Sequence, residues 1–163
     1  KKSKKQLNHV LIFASSIKSV KEIKRTLNKS GFISSEMHSG LDQNSRENTI
    51  RDFKNNKIKI LIATDILSGG IDIKGIELVI NYEVPNDAED YVHRIGRTAR
   101  ADKTGEAITF INENQIKSFM NIEKLIENEV EKRPLPNNFE NGPAYSIQKK
   151  KKNIWKKNRN KKN

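Results

Sequence analysis

The chain has 163 residues, of which 34% are hydrophobic and 32% charged, with no cysteine and a formal net charge of +12. This length predicts one domain with its own core, and the lack of cysteine excludes a disulfide framework and a thiolate-bound metal. The sequence contains neither the apolar run of a membrane span nor the apolar segment of a signal peptide. We expect no membrane partner, and we also expect a cytoplasmic location and a monomer.

The positive charge lies in the two ends of the chain. Four lysines lie in residues 1–5 and nine basic residues in 149–163, with no acidic residue in either segment. Removing these thirteen charges from the net +12 leaves residues 6–148 with about −1. We interpret 1–6 as a disordered basic leader, 7–133 as the globular domain, and 134–163 as a linker followed by a disordered lysine-rich tail.

Short apolar segments alternate with amphipathic segments along the domain. Buried strands are predicted at 9–14, 32–37, 58–63, 78–81 and 106–111. Helices are predicted at 17–28, at 43–54 with Asp42 as N-cap, from Asp87 onward, and at 116–126. This alternation predicts an α/β fold whose parallel sheet is covered by helices on both faces. Binding groups in such sheets gather at the carboxyl ends of the strands.

A basic octet, residues 93–100 with the sequence HRIGRTAR, follows the fourth predicted strand. Interpreted as the start of a helix, it places Arg97 and Arg100 on one face, because they lie three residues apart. Two planar guanidinium groups on one face can bind a single polyanion. Taken alone, the octet fits a solvated basic helix equally well. The motifs that precede it in the sequence decide between this interpretation and a polyanion-binding site.

The octet is the last of four motifs that occur in a fixed order. Segments 13–16, 38–46, 63–73 and 93–100 resemble motifs IV, IVa, V and VI of the DEAD-box RNA helicases. The resemblance covers residues 7–135 and concerns only the second RecA-like domain of these two-domain enzymes. Residues 81–139 look most like the bacterial RhlE-type branch. The resemblance implies a RecA-like three-layer sandwich with a parallel β-sheet.

The resemblance also implies a set of residues that face ATP. Arg97 and Arg100 match the arginine fingers that reach the γ-phosphate across the cleft between the two domains. His93 matches the residue that couples this motif to the acidic box of the other domain, and Asp72 matches the carboxylate near the ATP ribose. Arg94 has a weaker claim and is interpreted as structural.

The other half of the ATP site is absent from this sequence. It contains no phosphate loop and no Asp-Glu-Ala-Asp box, so ATP with Mg²⁺ would be bound mainly by the N-terminal RecA-like domain of the same protein. We expect no metal site in this chain, and no activity from this chain alone.

A second set of residues is implied to hold the phosphates and riboses of single-stranded RNA. Gly40 lets the backbone approach the nucleic acid closely, and hydroxyl, amide and guanidinium groups supply donors. Contacts of this kind do not depend on base sequence. The residues are Ser16, Gly40, Gln43, Arg46 and Thr64.

Two positions depart from the family pattern. Gly69 occupies the motif V position where the family normally has Arg, a residue that helps to tie the two domains together. We expect weaker domain closure from this change unless a neighbouring residue compensates. Ala99 replaces a Gly of motif VI, and this small change should leave both fingers in place.

We therefore predict the C-terminal half of an ATP-dependent RNA helicase that unwinds short duplexes locally. The alternative from another class is a non-enzymatic RNA-binding or annealing module that acts through its basic tail, residues 149–163, with Trp155 stacking on a base. That tail also fits an anionic membrane, a protein partner or a solubilising role. A dinucleotide-binding domain is disfavoured because no Gly-x-Gly-x-x-Gly follows the first strand.

Some of the site residues also have a simpler interpretation. Asp72 fits a turn carboxylate, and Gln43 with Arg46 fits the polar start of a helix. The order of the four motifs favours the functional interpretation over these.

Overall fold

A five-stranded parallel sheet, in the order β2-β3-β1-β4-β5, forms the centre of the fold. The computed structural model describes residues 7–65, 73, 75–98, 105–139 and 142–146, and the elements below lie within these ranges. The strands are β1 Val10–Phe13, β2 Ser35–Met37, β3 Ile60–Ala63, β4 Leu78–Asn81 and β5 Glu106–Thr109. The helices are α1 Ile17–Lys29, α2 Gln43–Lys54, α3 Ala88–Ile95 and α4 Ile116–Leu125.

Alternate residues of the central strands pack into two separate cores. Leu11 and Phe13 of β1 join Phe53 of α2 on one face of the sheet. Val10 and Ile12 join the apolar side of α1 on the other face. The predicted parallel α/β sandwich is therefore confirmed, and it follows from apolar strands that are buried on both faces.

A third core joins the last two helices. Tyr91 of α3 and Phe119 of α4 meet edge to face, with their ring centroids 5.5 Å apart. Burial by this cluster raises the pKa of the Tyr91 hydroxyl.

No helix within the described ranges has the length and apolar character needed to cross a bilayer.

The second strand is shorter than the predicted 32–37, because the chain first completes a cap on α1. Gly31 adopts φ +84°, its amide donates to Asn28 O, and the Phe32 amide donates to Leu27 O. This pair of bonds is the Schellman motif that ends helices at glycine. Phe32 and Ile33 are 56% and 87% exposed, so the predicted strand was wrong for these residues.

The predicted helix from Asp87 is confirmed, whereas the interpretation of the basic octet as a helix start was wrong, because residues 93–95 form the end of that helix. Helix α3 begins at the Asp87 cap and ends at Ile95, so Arg97 lies in the turn that follows the helix. The Thr98 hydroxyl donates to Ile95 O at 2.8 Å and so satisfies a carbonyl at the helix end. Arg100 lies outside the described residues.

The segment after α4 folds back onto that helix through one buried carboxylate. Glu123 is 8% exposed and accepts hydrogen bonds from the Val130 amide at 2.8 Å, the Tyr145 hydroxyl at 2.6 Å and the Lys132 ammonium. The Lys132 ammonium also lies 4.5 Å from the centroid of the Tyr145 ring. Tyr145, assigned to the linker by sequence, thus contacts the domain, and the boundary at 133 stays a prediction.

We expect this carboxylate to make stability depend on pH. Burial alone would raise the pKa of Glu123, but the bonds from Lys132, Tyr145 and Val130 hold it below its usual value of 4.5. A lowered carboxyl pKa adds stability that is present above pH 4.5 and is lost as the pH falls through the folded-state pKa. Glu123→Gln should therefore lower the free energy of urea unfolding at neutral pH, and its difference from the native chain should shrink in acid.

Glu22→Gln, at an exposed carboxylate on α1, is the matched control and should follow the native pH profile. A difference between Glu123→Gln and the native chain that stays constant across the acid range would contradict the role of the charge.

Candidate functional site

The carboxyl ends of the strands meet at one edge of the sheet. Phe13, the last residue of β1, lies in register with Ala63 of β3 and with Asn81 of β4, and Asn81 lies in register with Thr109 of β5. The segments that follow these strands contain several of the predicted site residues. The register therefore places them along a single edge.

The guanidinium of Arg94 joins three of these strand ends. Its Nε and Nη2 donate to Asp65 Oδ1 at 2.9 and 2.5 Å, just beyond β3, and its Nη1 donates to Asn81 Oδ1 at 3.3 Å. Its Cζ lies 5.1 Å from the centroid of the Phe13 ring. Because Arg94 is only 5% exposed, these partners offset most of the cost of burying its charge.

The polar connection continues to the edge strand. Asn81 is fully buried, and its Nδ2 donates to Thr109 Oγ1 at 3.1 Å. A chain of side chains thus runs from Asp65 through Arg94 and Asn81 to Thr109. Sequence reasoning assigned Arg94 only a structural role and missed Asn81, because the pairing of Asn81 with Thr109 depends on the strand register.

A small cleft opens beside Arg94 on the surface of α3. It is lined by Phe13, Asp65, Asp90, His93, Arg94 and Arg97. His93 is exposed and Arg97 is half-buried. The structure therefore brings together two of the residues that were predicted to face ATP.

Three basic side chains of this cleft, those of His93, Arg94 and Arg97, lie beside the carboxylates of Asp65 and Asp90. The Asp65 carboxylate is already paired with Arg94, and the Arg97 amide donates to Arg94 O at 3.2 Å, which fixes the turn that presents Arg97. A half-buried guanidinium held in this way suits a multiply charged oxyanion. Asp72, Arg100 and Gly69 lie outside the described residues.

The predicted RNA-facing residues lie around the adjoining ends of β2 and β3. The Thr64 amide donates to Met37 O at 3.1 Å, which ties the end of β3 to the end of β2. Helix α2 then begins at Gln43, where Asp42 accepts from the Ser45 amide at 2.8 Å and the Ser45 hydroxyl at 2.6 Å. These bonds lower the pKa of Asp42 and keep the cap charged.

The two predicted RNA-facing side chains of α2 differ in their surroundings. Gln43 is exposed, and its amide nitrogen donates to Glu47 Oε1 at 2.7 Å. Arg46 is half-buried, and its Nε is buried without a hydrogen-bond partner within the described ranges. Because the Nε lies beneath the surface, a ligand could contact only the exposed part of this half-buried side chain.

Ser16 serves as the N-cap of α1, where its Oγ accepts from the Ser19 amide at 3.1 Å. The Ser19 hydroxyl lies 3.3 Å from Glu83 Oε1, and the Ser15 amide donates to Glu83 Oε2 at 2.5 Å. Since a carboxylate only accepts, Ser19 donates to Glu83, and Ser16 must then donate to Ser19 across 3.0 Å. The phosphate-binding role of Ser16 stays a prediction that requires its hydroxyl to change partner.

No group of three or more metal-ligating side chains occurs in the part of the chain that the structure describes.

The sequence of this chain matches a known protein family and several of its members. Residues 3–102 match the model of the helicase conserved C-terminal domain. The pre-mRNA-processing ATP-dependent RNA helicase prp11 of Schizosaccharomyces pombe is 39% identical over 139 residues, which are 85% of this chain and 14% of that protein. The chain thus spans a small part of that relative.

Two solved structures have the same fold. A DEAD box protein from the hyperthermophile Methanococcus jannaschii is 42% identical, with a TM-score of 0.71 over 78% of this chain and 35% of that one. The C-terminal domain of the DEAD-box protein Dbp5 is 32% identical, with a TM-score of 0.69 over 74% of this chain and 71% of that one.

We expect Arg94→Ala to lower the free energy of urea unfolding by about 3 kcal/mol, because it removes the buried guanidinium that donates to the Asn81 oxygen and to the Asp65 carboxylate. The low end of the range for buried pairs applies, since the Asp65 side chain is 43% exposed. Arg51→Ala removes an exposed arginine of α2 and should change stability by no more than about 0.5 kcal/mol. Equal losses in the two variants would contradict the role given to Arg94.

Proposed function

Because the chain belongs to the C-terminal helicase domains of the DEAD-box RNA helicases, we propose that it is one half of an ATP-dependent RNA helicase. The relatives named as ATP-dependent RNA helicases are much longer, and the chain spans 14% to 27% of the first three. In this proposal, an N-terminal RecA-like domain of the same protein contributes the phosphate loop, the acidic box and the Mg²⁺ ligands. This chain completes the active site.

The cleft beside α3 is the observation on which the ATP-facing half of the proposal depends. ATP supplies the phosphoryl group, and the Arg97 guanidinium would stabilise the charge on the phosphoryl oxygens. His93 would contact the acidic box of the other domain. Arg100 as a second finger and Asp72 as the ribose carboxylate belong to the same proposal on the motif pattern alone.

The RNA-facing half depends on the surface formed by Gly40, Gln43, Arg46 and Thr64. Gly40 and Gln43 are exposed, Arg46 is half-buried, and Thr64 directly follows β3. These groups suit phosphates and riboses rather than base edges, so binding would be independent of sequence. Ser16 would join them once RNA displaces its present partner. Local duplex unwinding follows if this surface bends or holds one strand.

Arg94 gives a physical reason for linking the two halves. Asp65 directly follows Thr64, and it is bonded to Arg94, which lies one turn before Arg97. The RNA-facing strand end and the ATP-facing turn thus belong to one rigid edge. We propose that they move as a unit when the two domains close.

Several features of the proposal depend on the sequence alone. They are weaker domain closure because of Gly69 unless a neighbouring residue compensates, a cytoplasmic location, a monomer, and a likeness to the bacterial RhlE-type branch. The relatives named here are mostly eukaryotic, and a bacterial relative from Geobacillus kaustophilus also matches, so the branch stays a prediction.

We expect Arg97→Ala in the whole protein to lower kcat for RNA-stimulated ATP hydrolysis by about 10³ or more, the typical loss for an arginine finger. Binding of single-stranded RNA, measured by fluorescence anisotropy, should stay unchanged. Arg25→Ala, at an exposed arginine of α1, is the control and should retain native turnover.

Three outcomes separate the alternatives. Native turnover by Arg97→Ala would remove the finger assignment while leaving the helicase proposal in place. A native protein without turnover that gains it through Gly69→Arg would show that motif V has lost its coupling function. If neither the native protein nor Gly69→Arg hydrolyses ATP, the result would favour the non-enzymatic RNA-binding module.

The charge of the basic tail supports a second contribution to RNA binding. Nine basic residues and Trp155 lie in 149–163 without an acidic residue. We expect truncation after Ser146 to weaken binding of this chain to single-stranded RNA. The slope of log affinity against log salt should flatten by about 0.7 for each phosphate that the tail no longer neutralises. An unchanged slope would mean that the tail does not bind RNA, whereas loss of all binding would favour the tether over the domain surface.

A further inference from the structure

A buried histidine lies directly beneath the loop that is proposed to contact RNA. His38 follows β2 and is 3% exposed, and the Gly40 amide donates to its Nδ1 at 3.1 Å. The Leu41 amide donates to the His38 carbonyl at 3.1 Å. The turn 38–41 is therefore closed twice by the same residue, once through its ring and once through its backbone.

The hydrogen bond to Gly40 defines the tautomer of the ring. A ring nitrogen that accepts an amide proton bears none itself, so the neutral imidazole must have its proton on Nε2. His38 Nε2 lies 3.7 Å from Glu36 Oε2, and both atoms are buried without a hydrogen-bond partner in the described part of the chain. The other Glu36 oxygen accepts from the Lys24 ammonium at 3.2 Å. A carboxylate held on the Nε2 side favours this tautomer electrostatically.

The ring and the loop backbone are in close contact. A β-carbon at Gly40 would lie 3.1 Å from His38 Nδ1 and 3.3 Å from its Cε1. Gly40 itself is exposed, so its outer side is open to a ligand while its inner side rests on the ring. Because its amide is bonded to His38, Gly40 permits close approach of RNA without donating to it. The donors of this loop are then the side chains that follow in α2.

We propose that His38 is a positioning residue for RNA binding. The nearby Glu36 carboxylate favours the proton on Nε2 electrostatically. The Nδ1 lone pair accepts from Gly40, and the closed turn sets the start of α2 from which Gln43 and Arg46 reach the RNA backbone. The same residue adjoins Met37, whose carbonyl accepts from Thr64. The functional part of this inference rests on the proposed RNA-facing surface, whereas the tautomer and the Gly40 bond do not.

The first test needs no RNA. Nitrogen-resolved NMR of the imidazoles in the native chain should show the His38 proton on Nε2, and the Gly40 amide should exchange slowly despite its exposed position. A proton on Nδ1 would overturn the inference, because that nitrogen then cannot accept from Gly40.

The second test separates positioning from simple filling of the core. His38→Asn places an amide oxygen where Nδ1 accepts, whereas the longer side chain of His38→Gln places its polar end near Nε2. We expect His38→Gln to weaken binding of single-stranded RNA by about tenfold and to speed Gly40 exchange, in line with the loss of one hydrogen bond. His38→Asn should bind within about threefold of native. Equal weakening by the two variants would contradict a positioning role.

A buried histidine elsewhere supplies the control. The ring of His9 is 2.8 Å from Phe53 O and 3.2 Å from Gly75 O, so His9→Asn should lower stability without altering Gly40 exchange or RNA affinity. A thermal unfolding curve of every variant shows that RNA affinities are compared between folded proteins only. Should Arg46→Ala leave RNA affinity unchanged, the RNA-facing surface would fail as a proposal, while the NMR result would still decide the His38 bond.

Discussion

The Arg94 guanidinium is almost completely buried, and it therefore needs acceptors where the strands of the sheet end. Asp65 and Asn81 supply them just beyond β3 and at the end of β4, and the face of the Phe13 ring lies against the same group. A buried charge with its partners in place constrains geometry more than it adds stability. Here it constrains the distance between α3 and the edge of the sheet.

This constraint sets the positions of the ATP-facing and RNA-facing halves of the candidate site. On one side, α3 leads through Arg94 into the turn that contains Arg97. On the other side, Asp65 holds the chain directly after Thr64, and Thr64 is bonded in turn to the end of β2. The hydrophobic layers bring the strand ends together, and the polar chain then sets their spacing. A single sheet edge can thus present cationic groups to one ligand and hydroxyl and amide groups to another.

The sequence predicts the layers well because their physical cause is local. Continuous apolar runs such as β1 indicate strands buried on both faces, and Asp42, Asp87 and Gly31 mark helix ends through their own side chains or conformation. The exposed residues Phe32 and Ile33 were misassigned, because apolar character alone does not reveal the cap that the chain must complete on α1 first. The motif pattern separated Arg94, interpreted as structural, from the predicted finger Arg97. The sequence did not reveal the partners of Arg94, because they depend on where the strands beside α3 end.

The most decisive experiment is a crystal structure of the whole protein with single-stranded RNA and a non-hydrolysable ATP analogue. We expect the Arg97 guanidinium to lie about 2.9 Å from an oxygen of the terminal phosphate. We also expect Arg94 to remain bonded to Asp65 while the start of α2 contacts the RNA backbone. An Arg97 side chain that faces solvent in the closed complex, or an Arg94 that leaves Asp65 to bind the nucleotide, would contradict the proposed site.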